Sequence, residues 1–277
     1  MRIKTKFLIS VLENAMPAAG QKYTFSGGFE FVYPTAPNRV KLPDVKDEMN
    51  IVTEGDMYTN TEIYPKTESD MWAWGFGDYA TEEIKLCDKS IRCLLRLMKT
   101  EGPFAGVIGF STGATTGSIL LSLAERGAAD EITQQWGLDS SLLPSQPFKF
   151  GIFFSGCILS HPVYKTVFYP MLKTPVLHFI GELDTHLPLR EMLKFSKRYK
   201  NSRTVSHPGS HFVPRYKFCQ EEILSAGFAL GDEGEAKIGK AWPSWSSKDS
   251  QVSIPSLRVM ELIHFIKIGI QTELKPV

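Results

Sequence analysis

Short apolar runs alternate with stretches in which apolar residues recur every three or four positions, and the alternation covers most of the chain. "FEFVYP" (29–34) is rich in aromatics and Val and stops at Pro34, which predicts a strand. "FAGVIGF" (104–110), "FKFGIFFSG" (148–156) and "PVLHFIG" (175–181) are near-continuous apolar runs and predict buried strands; "RTVSH" (203–207) predicts a shorter one. Helical periodicity covers 4–16, 80–99, 112–126, 188–200 and 256–270. In 80–99 the apolar positions are Ile84, Leu86, Ile91, Leu94, Leu95 and Leu97, with glutamates early and Lys and Arg late, as the helix dipole favours. Pro188 stands just inside the start of the fourth helix. Strands that are apolar throughout and separated by helices predict an α/β fold: a mostly parallel sheet with helices on both faces.

Residues 35–70 hold several Pro, Asn, Asp and Thr and predict a loop with at most one helix. Residues 215–255 carry Gly, Ser, Pro, charges and the pair Trp242 and Trp245. They predict an insertion before the last helix, a lid or cover that faces substrate. With 277 residues and no internal repeat, the expectation is a single domain over 1–277.

Composition narrows the function. The net charge is +1 and no basic run is interleaved with aromatics, so neither nucleic acid nor an anionic membrane surface is expected as a partner. Cys87, Cys93, Cys157 and Cys219 lack CxxC spacing and a nearby His to complete a zinc pattern. Reduced thiols, a cytoplasmic location, and no metal or cofactor are the expectation. "MRIKTKFLISVLENAM" opens like a signal peptide, but its apolar run is short and Glu13 and Asn14 interrupt it, so an amphipathic helix is expected.

Chemistry enters at Gly109-Phe110-Ser111-Thr112-Gly113, a G-x-S-x-G pattern after a buried strand and before a helix. That setting predicts a sharp turn presenting Ser111 as a nucleophile, with the Thr112 N–H donating to an oxyanion. The plain alternative is a serine N-cap in a glycine-rich turn. A nucleophilic serine needs a base, and the base needs an acid to orient it. Asp184, just past the strand 175–181, is the expected acid, with Glu182 as a rival in the same loop. His211 in "SHPGSHFVP" is the expected base; His207 is expected to pack or brace the loop, and His186 is a minor alternative.

At these residues the chain resembles the fungal-type serine hydrolase family of the α/β-hydrolases. The resemblance rests on "FEFVYPTAP", "WAWGF", "GPFAGVIGFSTGA", "HFIGELDTHLP" and "HPGSHFVP", in that order. It implies Ser111 as nucleophile, Asp184 as acid and His211 as base. It also implies cleavage of esters and thioesters; several fungal members release polyketide chains held on a carrier protein. Two departures stand out. Thr112 replaces the family's usual Gln. The family also begins with a strand and an "LHG" loop that supplies the second oxyanion donor, and this first strand is not found here: the first expected helix starts almost at Met1. A sequence that begins late, another segment filling the place, or a hydrolase fold turned to other chemistry would each account for it.

The expected substrate is an apolar acyl compound of polyketide type. Phe110, Trp72, Trp74, Leu187, Trp242 and Trp245 are candidates to line its site, although core packing competes for the tryptophans at 72 and 74. A lactonising or cyclising enzyme and a non-catalytic binding module are the alternatives to hydrolysis.

Overall fold

The computed structural model describes residues 7, 10–11, 29–39, 72–78, 83–85, 87–129, 131–228 and 257–263. Of the helix expected over 4–16, Phe7, Ser10 and Val11 are described and helical. The strands are β1 (Phe29–Val32), β2 (Asn38–Arg39), β3 (Trp72–Ala73), β4 (Phe76–Asp78), β5 (Glu83–Lys85), β6 (Gly106–Phe110), β7 (Phe150–Phe154), β8 (Val176–Gly181), β9 (Ser202–His207) and β10 (Leu257–Ile263). The helices are α1 (Cys87–Glu101), α2 (Thr112–Arg126), α3 (Glu131–Gln135), α4 (Lys165–Phe168), α5 (Leu189–Ser196) and α6 (Lys217–Phe228).

Six strands form one sheet in the order β1-β10-β6-β7-β8-β9, and every neighbouring pair runs parallel. The reason the central strands read as unbroken apolar runs is visible in their packing. Val107, Phe153 and Val176 point into a core shared with α1 and α2. Ile108, Phe110, Ile152, Phe154, Leu177 and Phe179 point to the other face, where Cys219 and Ile223 of α6 and Val11 cover them. Both faces are buried, so period two leaves no polar trace.

Three expectations change. The helix over 80–99 begins only at Cys87; before it, β4 and β5 form a small antiparallel pair, Phe76 with Lys85 through Asp78 with Glu83. The cover expected over 215–255 starts with α6, which packs on β8 and β9 and turns Cys219 and Ile223 into the core. The remainder of that segment, Trp242 and Trp245 included, lies outside the described residues.

The largest change is at 257–263, expected as part of a helix. "LRVMELI" is strand β10, paired with β1 on one side and β6 on the other. Over seven residues periodicity alone separates a strand from a helix poorly. What decides is the place it fills: Met260 and Leu262 are fully buried in the core under α2. The place between β1 and β6, next to the strand that leads into Ser111, is thus held by a segment from the carboxyl-terminal side of the described residues.

His178, midway along β8, is buried among Phe153, Phe195 and Tyr199, and its Nε2 has no hydrogen-bond partner among the described residues. Burial pushes its pKa down from 6.5 to about 3. The unfolded chain therefore takes up a proton near pH 6.5 that the folded chain refuses until about 3. Stability falls as pH drops through that window, by up to about 5 kcal/mol. Urea unfolding midpoints from neutral to acid pH should show this slope, and His178→Phe should lose most of it. An equally steep profile in the variant contradicts the assignment.

Candidate active site

The site begins with a strained serine. Ser111 sits between β6 and α2 at φ 54°, ψ −121°, a region L-residues rarely occupy. Its N–H donates to the Phe154 carbonyl of β7 at 2.9 Å, which continues the ladder one residue past the strand end. Its carbonyl accepts from the N–H groups of Ala114 and Thr115, at 3.0 and 3.2 Å, and so starts the helix. The N–H groups of Thr112 and Gly113 stand ahead of that ladder at the positive end of α2, where developing negative charge is favoured.

The motif glycines have physical work at this turn. A Cβ on Gly109 would lie 2.6 Å from the Ala114 nitrogen and the Gly113 carbonyl oxygen. A Cβ on Gly113 would lie 1.5 Å from the Leu262 carbonyl oxygen of β10. Strand and helix therefore touch through bare backbone on both sides of Ser111, which fixes the turn.

Beyond β8 the chain turns through Glu182 and Leu183, and this turn is tied to the loop after β9. Glu182 N–H donates to the His207 carbonyl at 2.9 Å and Leu183 N–H to the Gly209 carbonyl at 3.1 Å. Gly209 N–H donates to His207 Nδ1 at 3.2 Å, so the buried His207 braces the loop as its position in the sequence predicts. These ties bring Asp184 and His211 together. His211 Nδ1–H donates to Asp184 Oδ2 at 2.6 Å. Asp184 Oδ1 accepts from the N–H groups of His186 and Leu187, each at 2.9 Å. Asp184, not Glu182, holds the histidine; Glu182 is exposed.

The two partners differ in their access to solvent. The Asp184 side chain is 0 % exposed and that of His211 12 %. Burial opposes ionisation of Asp184, but the hydrogen bonds from His211, Leu187 and His186 outweigh it and hold the carboxyl below its ordinary range. The carboxylate is therefore charged at neutral pH and keeps the proton of His211 on Nδ1. Nε2 is the nitrogen left to accept a proton. The ring packs against Phe110, the residue before Ser111, at a centroid distance of 4.7 Å and a 50° tilt. His186 lies on another side of it at 5.1 Å.

The remaining candidates separate by burial. Phe110 is fully buried and supports the His211 ring from the core. Trp74 is 1 % exposed and belongs to the core; its carbonyl accepts the Ser90 hydroxyl of α1 at 2.6 Å. Trp72 is 37 % exposed with Arg39 stacked over it at 6.0 Å. Leu187 is half-buried beside Asp184. Ser155 was not expected. It follows β7, is buried at φ 47°, and its Oγ has no hydrogen-bond partner among the described residues. The sequence carries one faint signal for it, a serine before glycine at a strand end ("FFSG"), which mirrors the turn at Ser111.

Among the described residues no group of His, Cys, Asp and Glu could hold a metal ion, and no helix is long and apolar enough to cross a membrane. A serine at the strand-to-helix turn of a parallel sheet, followed in the chain by a carboxylate and a histidine that pair at the same sheet edge, is the α/β-hydrolase arrangement.

Comparison with known proteins agrees. The family described as serine hydrolase (FSH1) matches residues 10–223. A dihydrofolate reductase of Schizosaccharomyces pombe is 33% identical over 144 residues, 50% of this chain and 29% of that protein. An uncharacterized hydrolase of the same yeast is 28% identical over 185 residues, 67% of this chain and 40% of that protein. Family of serine hydrolases 3 of Saccharomyces cerevisiae is 30% identical over 194 residues, 69% of this chain and 68% of that protein. The chain thus spans less than half the length of the first two.

Proposed function

The chain belongs to the FSH1 family of serine hydrolases, and on that premise we propose that it cleaves esters or thioesters of apolar acyl compounds through an acyl-enzyme on Ser111. The observation that carries the reading is the strained Ser111 at the head of α2, on the sheet edge where Asp184 grips His211 at 2.6 Å. His211 Nε2 takes the Ser111 proton as Oγ attacks the carbonyl. Asp184 holds the imidazole and stabilises its positive charge. The Thr112 N–H donates to the oxyanion. His211 then gives its proton to the leaving alcohol or thiol, and water, activated by the same ring, resolves the acyl-enzyme.

An apolar acyl group is supported by what flanks the pair: Leu183 beside Asp184 is 67 % exposed and Phe212 beside His211 is 37 % exposed. The resemblance to polyketide-releasing members supports a polyketide-like chain held on a carrier protein, handled in the cytoplasm. Acyl esters and N-acetylcysteamine thioesters of increasing chain length test the substrate class. Each added methylene should raise kcat/KM about fourfold until the site is filled. A profile that is flat or falling from acetyl to octanoyl sinks the apolar assignment, and no turnover of any activated ester sinks the hydrolase.

A further inference from the structure

We propose that β10 is the positioning strand of the nucleophile turn, delivered from the carboxyl-terminal side of the chain, and that Leu262 holds Ser111 in place through Gly113. The proposal rests on the reading of Ser111 as nucleophile.

The geometry is specific to the turn. β10 lies parallel between β1 and β6, in register from Val259 with Gly106 to Ile263 with Phe110, so its carboxyl end reaches the residue before Ser111. One residue earlier, the Leu262 carbonyl oxygen stands 1.5 Å from where a Cβ of Gly113 would be. No closer approach of backbone to a glycine occurs among the described residues. The Met260 and Leu262 side chains, both fully buried, share one core with Val107 of β6 and Ala114 of α2.

A serine at φ 54° stays there only where its surroundings over-determine it. On one side the Phe154 carbonyl of β7 holds its N–H. On the other side β10 backs the first turn of α2. Without β10, β6 becomes an edge strand with its backbone groups unpaired along the register, and the turn is held from β7 alone. Asp184 and His211 hang from β8 and β9, on the far side of β7, and keep their hydrogen bond. β10 also lies beyond residues 10–223, the part that matches the family. The strand that backs the first turn of α2 is therefore one the family match does not contain.

The test uses the full chain carrying Met260→Asp, which sets a charge in the buried face of β10, with Met260→Leu as the conservative control. Labelling of Ser111 by a fluorophosphonate is timed. The downfield proton resonance of the His211–Asp184 hydrogen bond is followed in the same samples. Met260→Asp should label about 100-fold more slowly than the parent, the loss expected from a displacement near 1 Å, while the downfield proton persists. Met260→Leu should label at the parental rate. A peptide of residues 255–270, added in excess, should restore labelling, and the same peptide carrying Asp at position 260 should not. Where Met260→Asp loses the downfield proton, Met260→Ala is read in its place. Parental labelling in a variant that keeps the proton overturns the proposal, as does failure of the peptide to restore a slow variant. Ser111→Ala, run alongside, should not label at all; labelling there sinks the nucleophile reading, which the Met260 variants leave untouched.

Discussion

Ser111→Ala should lower kcat toward an activated ester by a factor on the order of 10^6, with KM nearly unchanged. The size follows from what is removed. The attacking oxygen disappears, and with it the acyl-enzyme and the purpose of the His211–Asp184 pair. The Thr112 N–H and the binding surfaces remain, so a residual rate on the order of 10^3 over water is expected. Ground-state binding is barely touched because Ser111 contributes little surface to it. The variant also relieves nothing in the fold: alanine at φ 54° is as strained as serine. Steady-state kinetics and a thermal melt separate these outcomes. A large rise in KM with kcat preserved would assign Ser111 to binding and not to chemistry.

Asp184→Asn should cost about 10^4 in kcat without unfolding the site. Asparagine keeps an Oδ1 for the N–H groups of His186 and Leu187, so the turn after β8 stays closed. What changes is the atom that faces His211. An amide NH2 replaces the carboxylate oxygen at 2.6 Å, and two donors cannot face each other. The imidazole moves its proton to Nε2 and has no lone pair to offer Ser111. Asp184→Ala should lose activity and also lower the melting temperature, since it removes the acceptor of both turn N–H groups. Comparing the two variants distinguishes a wrong tautomer from a collapsed loop. Equal melting temperatures for Asn and Ala would show that the carboxylate does not anchor the turn.

The part of this site that could be read from sequence is the part whose geometry depends on residue type. G-x-S-x-G after a buried strand announces the turn, because only glycine lets Ala114 and Leu262 come so close to the backbone. The helix that follows it, 112–126, is observed over the residues expected. Asp184 and Glu182 share a loop; the place of Asp184 deeper in the turn already favours it as the acid, and the fold directs its carboxylate at His211 and leaves Glu182 in solvent. Ser155 escaped notice because a positive φ at a non-glycine residue leaves almost no mark in sequence. Trp74 could equally have been core or pocket wall, and packing under α1 settles it as core. β10 lies inside the helical pattern over 256–270, because over seven residues periodicity alone separates a strand from a helix poorly. Its identity as a strand comes from long-range pairing with β1 and β6, which no local pattern records.

Peptide mapping by mass spectrometry after treating the full chain with a fluorophosphonate shows directly which serine is the nucleophile. One adduct is expected, on Ser111, that forms in the parent and fails to form when His211 is replaced by alanine. A folded protein that takes no adduct, or takes it at another serine, contradicts Ser111 as the nucleophile.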